Sequence, residues 1–225
     1  MRLKIKKSKF NGIYLAGNKT ATTNMMAGRR VYGEELVEEG GKEYRIWDCY
    51  RSKPAAAIRR GLKVFPIEAG MKILYLGVAS GTTASHFSDV IGKEGVIYGV
   101  DISNRVLREL LPLAEARGNI IPVLADARRP ETYESVILEK VDIVYEDVAS
   151  PDQIKILIRN AEKFLKPNGW AMIAIKSQSI DVTKDPHAIY AECLKELEGH
   201  FKIEDKVELD PYEKFHLFVV MKYKK

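Results

Sequence analysis

From residue 71 onward the chain runs through five nearly unbroken apolar stretches: Ile73-Leu74-Tyr75-Leu76, Val96-Ile97-Tyr98-Gly99-Val100, Ile120-Ile121-Pro122-Val123-Leu124, Val141-Asp142-Ile143-Val144-Tyr145 and Trp170-Ala171-Met172-Ile173-Ala174-Ile175. A strand with one wet face alternates apolar and polar residues, whereas strands apolar on both faces belong to parallel sheets covered by helices on either side. The spacers supply such helices. Pro151 suits a first helical position, and Ile154, Leu157, Ile158, Ala161 and Leu165 recur at helical spacing until Lys166-Pro167-Asn168-Gly169 ends the run. A second helix is expected from Ser103, with Val106, Leu107, Leu110 and Ala114 inward and a kink or break at Pro112. Asp185-Pro186 opens a third, with Ile189, Cys193, Leu194 and Leu197 on one face. Two strand-like runs follow, residues 201–209 and 215–221. Five alternating β/α units and a terminal hairpin predict an α/β fold, a doubly wound, Rossmann-like sheet whose last strand runs antiparallel.

Residues 1–50 read differently, as short runs broken by Gly12, Gly17, Gly28, Gly33, Gly40 and Gly41. Leu3 and Ile5 alternate with Lys4 and Lys6, and Ile13-Tyr14-Leu15, Arg30-Val31-Tyr32 and Glu43-Tyr44-Arg45-Ile46-Trp47 are further strand candidates. The predicted division is a small antiparallel β domain over 1–50 and the doubly wound domain over 51–225. At 225 residues and 46% hydrophobic content the chain has enough apolar matter for one substantial core, which excludes a disordered chain. No apolar run approaches bilayer length and the first residues lack the apolar segment of a secretory signal, so a soluble, cytoplasmic protein is expected. Cys49 and Cys193 sit in no metal-ligand spacing, so no metal is expected and both read as idle thiols. A net charge of +5 permits a polyanionic partner and does not require one.

The first central strand ends in Gly77-Val78-Ala79-Ser80-Gly81-Thr82-Thr83, and open α/β sheets bind ligands beyond the carboxyl ends of their strands. Two glycines there permit close backbone approach, but the Gly-x-x-x-Gly pattern lacks the third glycine of the dinucleotide fingerprint, which weighs against a nicotinamide cofactor. S-adenosylmethionine carries no pyrophosphate, and the element order is similar to that of the methyltransferases that use it. Asp101 ends the second strand, 24 residues after Gly77, where a carboxylate can accept from both hydroxyls of a ribose. Asp126 ends the third, placed to hold an adenine, and Asp147 follows the fourth. Three acidic residues at successive strand ends, each interrupting an apolar run, point to a ligand.

Five blocks now stand in order: Arg51-Ser52-Lys53-Pro54-Ala55-Ala56-Ala57-Ile58; residues 75–86; Glu146-Asp147-Val148-Ala149-Ser150-Pro151-Asp152-Gln153; Ala174-Ile175-Lys176-Ser177 with Ser179-Ile180-Asp181; and Pro211-Tyr212-Glu213-Lys214-Phe215-His216. Through them the chain resembles the fibrillarin family over nearly its whole length, in the archaeal form that lacks a Gly/Arg-rich tail. The resemblance implies transfer of methyl from S-adenosylmethionine to RNA ribose 2′-hydroxyls, with a tetrad of Lys53, Asp147, Lys176 and His216. It also implies a cofactor site of Gly77, Ala79, Gly81, Thr82, Thr83, Asp101, Ile102, Asp126, Ala127, Asp147, Val148, Ala149, Ser150 and Gln153. The chemistry explains the choice of residues. A ribose hydroxyl is a poor nucleophile until its proton is withdrawn, and Asp147 can orient it and accept that proton directly or through a lysine. Either lysine can serve as base while the other stabilises the alkoxide, and His216 is expected to align the carboxylate or a lysine.

Three positions depart from the family pattern: Asp101-Ile102 stands for a common Glu and aromatic, Ser150 for Gln, and Phe215 for Asp. Rival readings are a protein glutamine methyltransferase on the same site and a non-catalytic assembly module; the intact tetrad opposes the latter. Exocyclic-amine methylation is disfavoured because Asp147-Val148-Ala149-Ser150-Pro151 replaces the Asn/Asp-Pro-Pro-aromatic run, and cytosine C5 methylation because neither cysteine ends a strand. No motif that reads base sequence is present. The family therefore implies the partners: a box C/D guide RNA, target rRNA or tRNA, a Nop-family scaffold protein and a kink-turn-binding ribosomal-type protein.

Overall fold

In the computed structural model, which describes residues 4–225, the chain forms five short strands and then a mixed seven-stranded sheet. Strands β1 (Ile5–Lys7), β2 (Ile13–Ala16), β3 (Lys19–Thr23), β4 (Leu36–Glu39) and β5 (Lys42–Trp47) pair antiparallel in the order β1-β2-β3-β5-β4. Leu3, assigned to the first predicted strand, lies outside the described residues. The expected strand at Arg30-Val31-Tyr32 is instead a loop, because the Glu34 carboxylate accepts from the backbone N–H groups of Val31 (3.0 Å) and Tyr32 (2.8 Å) and turns the chain around itself. Strands β3 and β4 carried no recognisable signal: Lys-Thr-Ala-Thr-Thr has too few large apolar residues to show alternation.

Helix α1 (Lys53–Arg59) follows, with Pro54 in its first turn and Ala55, Ala56 and Ala57 buried. Then come β6 (Lys72–Leu76), α2 (Thr82–Ile91), β7 (Val96–Asp101), α3 (Asn104–Arg117), β8 (Ile120–Leu124), β9 (Val141–Glu146), α4 (Gln153–Phe164), β10 (Leu165–Lys176), the single turn α5 (Ser177–Ile180), α6 (Pro186–Glu198), β11 (Phe201–Glu208) and β12 (His216–Tyr223). The sheet order is β11-β12-β10-β9-β6-β7-β8; β12 runs antiparallel to both β10 and β11, and the remaining pairs are parallel. The doubly wound sheet with a reversed last strand is thus present.

Four local expectations need correction. Helix α3 passes through Pro112 without a break, with Pro112 on its solvent-exposed face. Helix α4 begins at Gln153 with Asp152 at the N-cap, so Pro151 lies in the preceding turn. Leu165 is already the first residue of β10, whose register shifts across Lys166-Pro167-Asn168-Gly169 before the long run resumes at Trp170. Between β8 and β9 the β/α alternation fails: residues 125–140 hold only a 3-10 turn, Pro130–Thr132.

Two apolar layers cover the sheet. On one face Leu74, Val144, Ile173 and Val219 pack against α4 and α6; on the other Ile73, Ile143, Met172 and Val220 pack against α1, α2 and α3. The N-terminal sheet joins the second layer through Ile13 and Trp47, and through a buried charged cluster. Arg45 of β5, fully buried, lies 2.6 Å from Glu34 and 2.7 Å from Asp89 of α2, and Arg117 of α3 takes the other Asp89 oxygen at 2.8 Å. His86 of α2 is fully buried between the Thr22 and Tyr32 hydroxyls, each 2.8 Å away. Burial, reinforced by the charges of Arg45 and Arg117, pushes its imidazole well below the ordinary value, so it is neutral.

Candidate active site

The carboxyl ends of β6, β7, β8 and β9 open on one cleft of about 530 Å³. Gly77, with φ of +79°, turns the chain directly after β6, and a Cβ there would stand 3.0 Å from the Asp147 carbonyl oxygen, so only glycine allows the two loops to touch. Gly81 serves a different end from the one its spacing suggested. With φ of +93° it caps α2, and a Cβ would strike Leu110 and Leu113 of α3 at 2.6 and 2.8 Å; it is a helix-packing glycine outside the cleft.

Of the residues the sequence pointed to, Gly77, Ala79, Asp101, Ile102, Asp126, Ala127, Asp147, Val148, Ala149 and Ser150 line the cleft together. Gly81, Thr82, Thr83 and Gln153 do not. Thr83 is buried, its hydroxyl 2.8 Å from that of Ser52, which ties α2 to the start of α1. Gln153 is also buried: its Oε1 accepts from the Lys176 N–H at 3.0 Å and its Nε2 donates to the Ser150 carbonyl at 3.0 Å, clamping the end of β10 to the loop after β9. Lys176 of the expected tetrad also lines the cleft, and Val100, Ala125, Arg128, Pro151 and Ile156, which were not foreseen, complete the lining. Asp101 is held by backbone donors, Ala79 N–H at 3.0 Å on Oδ2 and Ser103 N–H at 2.9 Å on Oδ1, leaving each oxygen a lone pair for the cleft. Asp126 lines the cleft with Arg128 already on both of its oxygens at 2.8–3.0 Å. That hydrogen-bonded guanidinium holds the carboxyl below its ordinary value. Ile102 is 66% exposed at the cleft, and Ser150 uses its hydroxyl to accept from the Asp152 N–H at 3.1 Å.

The four tetrad residues come from four elements and meet at this edge. Lys53 opens α1, Asp147 follows β9, Lys176 ends β10, and His216 starts β12 as the cross-strand partner of Lys176. Both ammonium groups converge on one carboxylate oxygen: Asp147 Oδ1 lies 2.8 Å from Lys176 Nζ and 3.1 Å from Lys53 Nζ. Lys176 Nζ also donates to the Asp147 carbonyl at 2.6 Å, and Lys53 donates to Oδ2 at 3.3 Å, with Glu213 at 3.8 Å from its Nζ. Among the described residues the His216 ring makes no hydrogen bond to the carboxylate or to either ammonium group. Its Nδ1 lies 2.7 Å from the Lys214 carbonyl, an acceptor only, so Nδ1 carries the proton and Nε2 keeps its lone pair. Burial pushes this imidazole below its ordinary value; the Lys214 carbonyl works against that and the charges of Lys53 and Lys176 add to it. Phe215 adopts φ of +62° just before it, its carbonyl accepting from the Ser177 N–H and hydroxyl at 3.2 and 3.1 Å. Beneath the site Glu146 is fully buried with no hydrogen-bond partner for its carboxyl among the described residues, and burial raises it well above its ordinary value, so it is neutral.

The family model for fibrillarin matches residues 4–225. The chain belongs to the fibrillarin family. A fibrillarin-like rRNA/tRNA 2′-O-methyltransferase of Pyrococcus abyssi is 54% identical across 98% of this chain and 99% of its own. Among solved structures, Aeropyrum pernix fibrillarin in complex with natively bound S-adenosyl-L-methionine superposes with a TM-score of 0.89 at 44% identity, covering 97% of this chain and 98% of that one. The fibrillarin of a fibrillarin/Nop5p complex does so with a TM-score of 0.88 at 41% identity, covering 96% and 100%. Within the fibrillarin family, then, this chain presents a glycine-turn cleft with a carboxylate and two lysines at its rim.

Proposed function

We propose that this chain is an RNA ribose 2′-O-methyltransferase that draws its methyl group from S-adenosylmethionine and acts as the catalytic subunit of a guide-RNA particle. One observation carries the reading: the cleft ends at Asp147, a carboxylate ion-paired with two lysines. The residues present fit the methyl donor. Gly77 lets the turn after β6 close against the Asp147 backbone at the cleft, and Asp101 offers two acceptor oxygens fixed by backbone donors. Ala127 and the loop from Val148 to Ser150 supply the remaining wall. When bound, the sulfonium supplies a methyl already activated for attack, so the protein's task is the nucleophile and its approach.

Asp147 is built for that task. Oδ1 is shut off from solvent beside both ammonium groups, which leaves Oδ2, which accepts a 3.3 Å bond from Lys53, as the oxygen for an incoming ribose hydroxyl. Oδ2 orients the hydroxyl and takes its proton as the oxygen attacks; the two lysines offset the negative charge that develops there. Lys176 is the more rigidly held of the two, since its Nζ is anchored to the Asp147 backbone as well as the side chain and its own backbone is clamped by Gln153. The bare Nε2 of His216, whose neutrality follows from burial, offers a later station for the proton.

The partner chemistry follows from what the chain lacks and what its relatives bind. A charge of +5 attracts phosphates without reading bases. The fibrillarin/Nop5p complex supports a Nop-family scaffold; a box C/D guide RNA that pairs with the target, and a kink-turn-binding protein that anchors it, complete the proposed particle. Its expected compartment is the cytoplasm. The test maps 2′-O-methyl groups on a target RNA, using labelled methyl donor, with the chain alone and then with the reconstituted particle. Guide-directed modification of single nucleotides in the particle alone is expected, and efficient site-specific methylation by the isolated chain would overturn the reading.

A further inference from the structure

The turn that leads into β12 carries a side chain that the packing of the fold does not explain. Phe215 is 51% exposed, yet its backbone sits at φ of +62°. Among the described residues three that are not glycine take left-handed backbone, Ala79, Asn168 and Phe215. Alanine is small and asparagine tolerates that region, whereas for a bulky side chain the conformation is an outlier that costs stability. No packing offsets it. Among the described residues the Phe215 ring belongs to none of the apolar clusters, stacks on no other ring and meets no cation. Nearby, by contrast, Tyr212 is covered edge to face by Tyr50 at 5.1 Å.

The strained backbone is fastened to the tetrad on both sides. The Phe215 carbonyl accepts from the N–H and the hydroxyl of Ser177, the residue after Lys176, at 3.2 and 3.1 Å. On its other side the Lys214 carbonyl takes the Nδ1 proton of His216 at 2.7 Å, and Lys176 and His216 are themselves cross-strand partners. The ring is therefore held one Cα step, about 3.8 Å, from His216. Strain that the surroundings over-determine in this way gathers at sites that handle ligands.

The ligand's chemistry says what such a ring can meet. In an A-form duplex the 2′-hydroxyls are displayed in the wide, shallow minor groove, beside the sugars of neighbouring nucleotides. A target paired to a guide thus presents Asp147 with hydroxyls, phosphates and apolar sugar C–H faces, while its base faces stay stacked. Lys53, Lys176 and the exposed Lys214 suit the charged part. Phe215 suits the apolar part, at a position where the family commonly has an aspartate.

Resting on the methyltransferase reading above, we propose that Phe215 is a positioning residue whose ring packs on the sugar face of a nucleotide beside the target, in the minor groove of the guide–target duplex. Pairing already holds the RNA in the particle, so the ring acts on the final seating of the duplex against Asp147. Its effect belongs in the transfer rate at saturating RNA and not in the retention of RNA by the particle.

The experiment uses the reconstituted particle under single-turnover conditions with saturating RNA. Phe215→Asn removes the ring and suits the left-handed backbone, so its Tm is expected to match or exceed that of the wild type. S-adenosylmethionine affinity and RNA retention in a gel shift should be unchanged. The transfer rate should fall about five- to 50-fold, the equivalent of roughly 40–90 Å² of apolar surface no longer removed from water, and Phe215→Tyr should restore it. With p-benzoylphenylalanine at position 215, irradiation should cross-link a sugar of the substrate strand next to the target. A wild-type rate in Phe215→Asn, a Tm for that variant below the wild-type value, or no cross-link to a substrate sugar each overturns the proposal and leaves the methyltransferase reading standing. Cross-linking to the flanking sugar without methyl transfer by the wild type supports the contact and defeats the chemistry.

Discussion

Asp147 and Asp101 are both carboxylates at strand ends, yet their surroundings give them different work. Asp147 faces two cations at 2.8 and 3.1 Å, whereas Asp101 faces two backbone N–H groups at 3.0 and 2.9 Å. The first arrangement gathers charge at one point and suits a reacting proton; the second fixes a carboxylate as a hydrogen-bonding platform. Replacing Lys176 by alanine removes the ammonium anchored at 2.6 Å on the Asp147 backbone, and single-turnover transfer in the particle should fall by about 10² to 10⁴. A near-wild-type rate would take Lys176 out of the chemistry. Asp101→Ala should weaken S-adenosylmethionine binding by about 1.5–3 kcal/mol, the value of hydrogen bonds to a charged group, read by calorimetry. Unchanged affinity would show that the ribose lies elsewhere.

At the scale of elements, the site depends on how the N-terminal sheet is locked to α2 and α3. Asp89 of α2 receives Arg45 from β5 on one oxygen and Arg117 from α3 on the other, all three side chains being buried. Taking away the shared carboxylate leaves two guanidinium groups in the interior with one fewer counter-charge, and breaking a buried pair this way costs about 3–5 kcal/mol. Asp89→Ala should therefore lose about that much stability in urea denaturation followed by circular dichroism. A loss below about 1 kcal/mol would mean that the cluster relaxes or admits water. The same lock carries Ser52 and Thr83, hydrogen-bonded at 2.8 Å, so loosening it displaces the start of α1 and with it Lys53. Gln153 performs the matching service on the other side of the cleft, where it joins α4, the β9 loop and β10.

For the molecule as a whole, the order β12-β10-β9-β6-β7 brings the tetrad and the cofactor loops to one edge of one sheet. A ligand that binds this edge binds only the folded chain and must stabilise it. At a hundredfold excess over its Kd, S-adenosylmethionine should add about 2.7 kcal/mol, which for a chain of this size raises Tm by roughly 5–11 °C. NAD at the same concentration should leave Tm unmoved, because Gly-x-x-x-Gly offers no third glycine for a pyrophosphate. Differential scanning calorimetry separates the two; a shift with NAD, or none with S-adenosylmethionine, would displace the cofactor assignment.

The parallel sheet, the reversed last strand and the three acidic strand ends were legible in residue order because each leaves a local mark: a run apolar on both faces, a glycine turn, a carboxylate where a strand leaves the core. Lys176 could be read the same way, as the charge ending β10. Other features leave none. Helix α1 is a short stretch of small residues behind a proline, and its helicity comes from burial of Ala55, Ala56 and Ala57 against the sheet. Gly81 and Gly77 look alike in sequence, and only the approach of Leu110 and Leu113 to one, and of the Asp147 backbone to the other, tells them apart. Arg128 folds back on Asp126 two positions away, a choice of rotamer rather than of sequence pattern. The Arg45–Asp89–Arg117 cluster and the Tyr50–Tyr212 pair join residues far apart along the chain. Periodicity and strand-end chemistry are short-range properties, so they determined the sheet and most of its ligand-facing edge. Which distant charges share a buried space is settled only when the layers pack, because desolvation then decides which partners each charge must have.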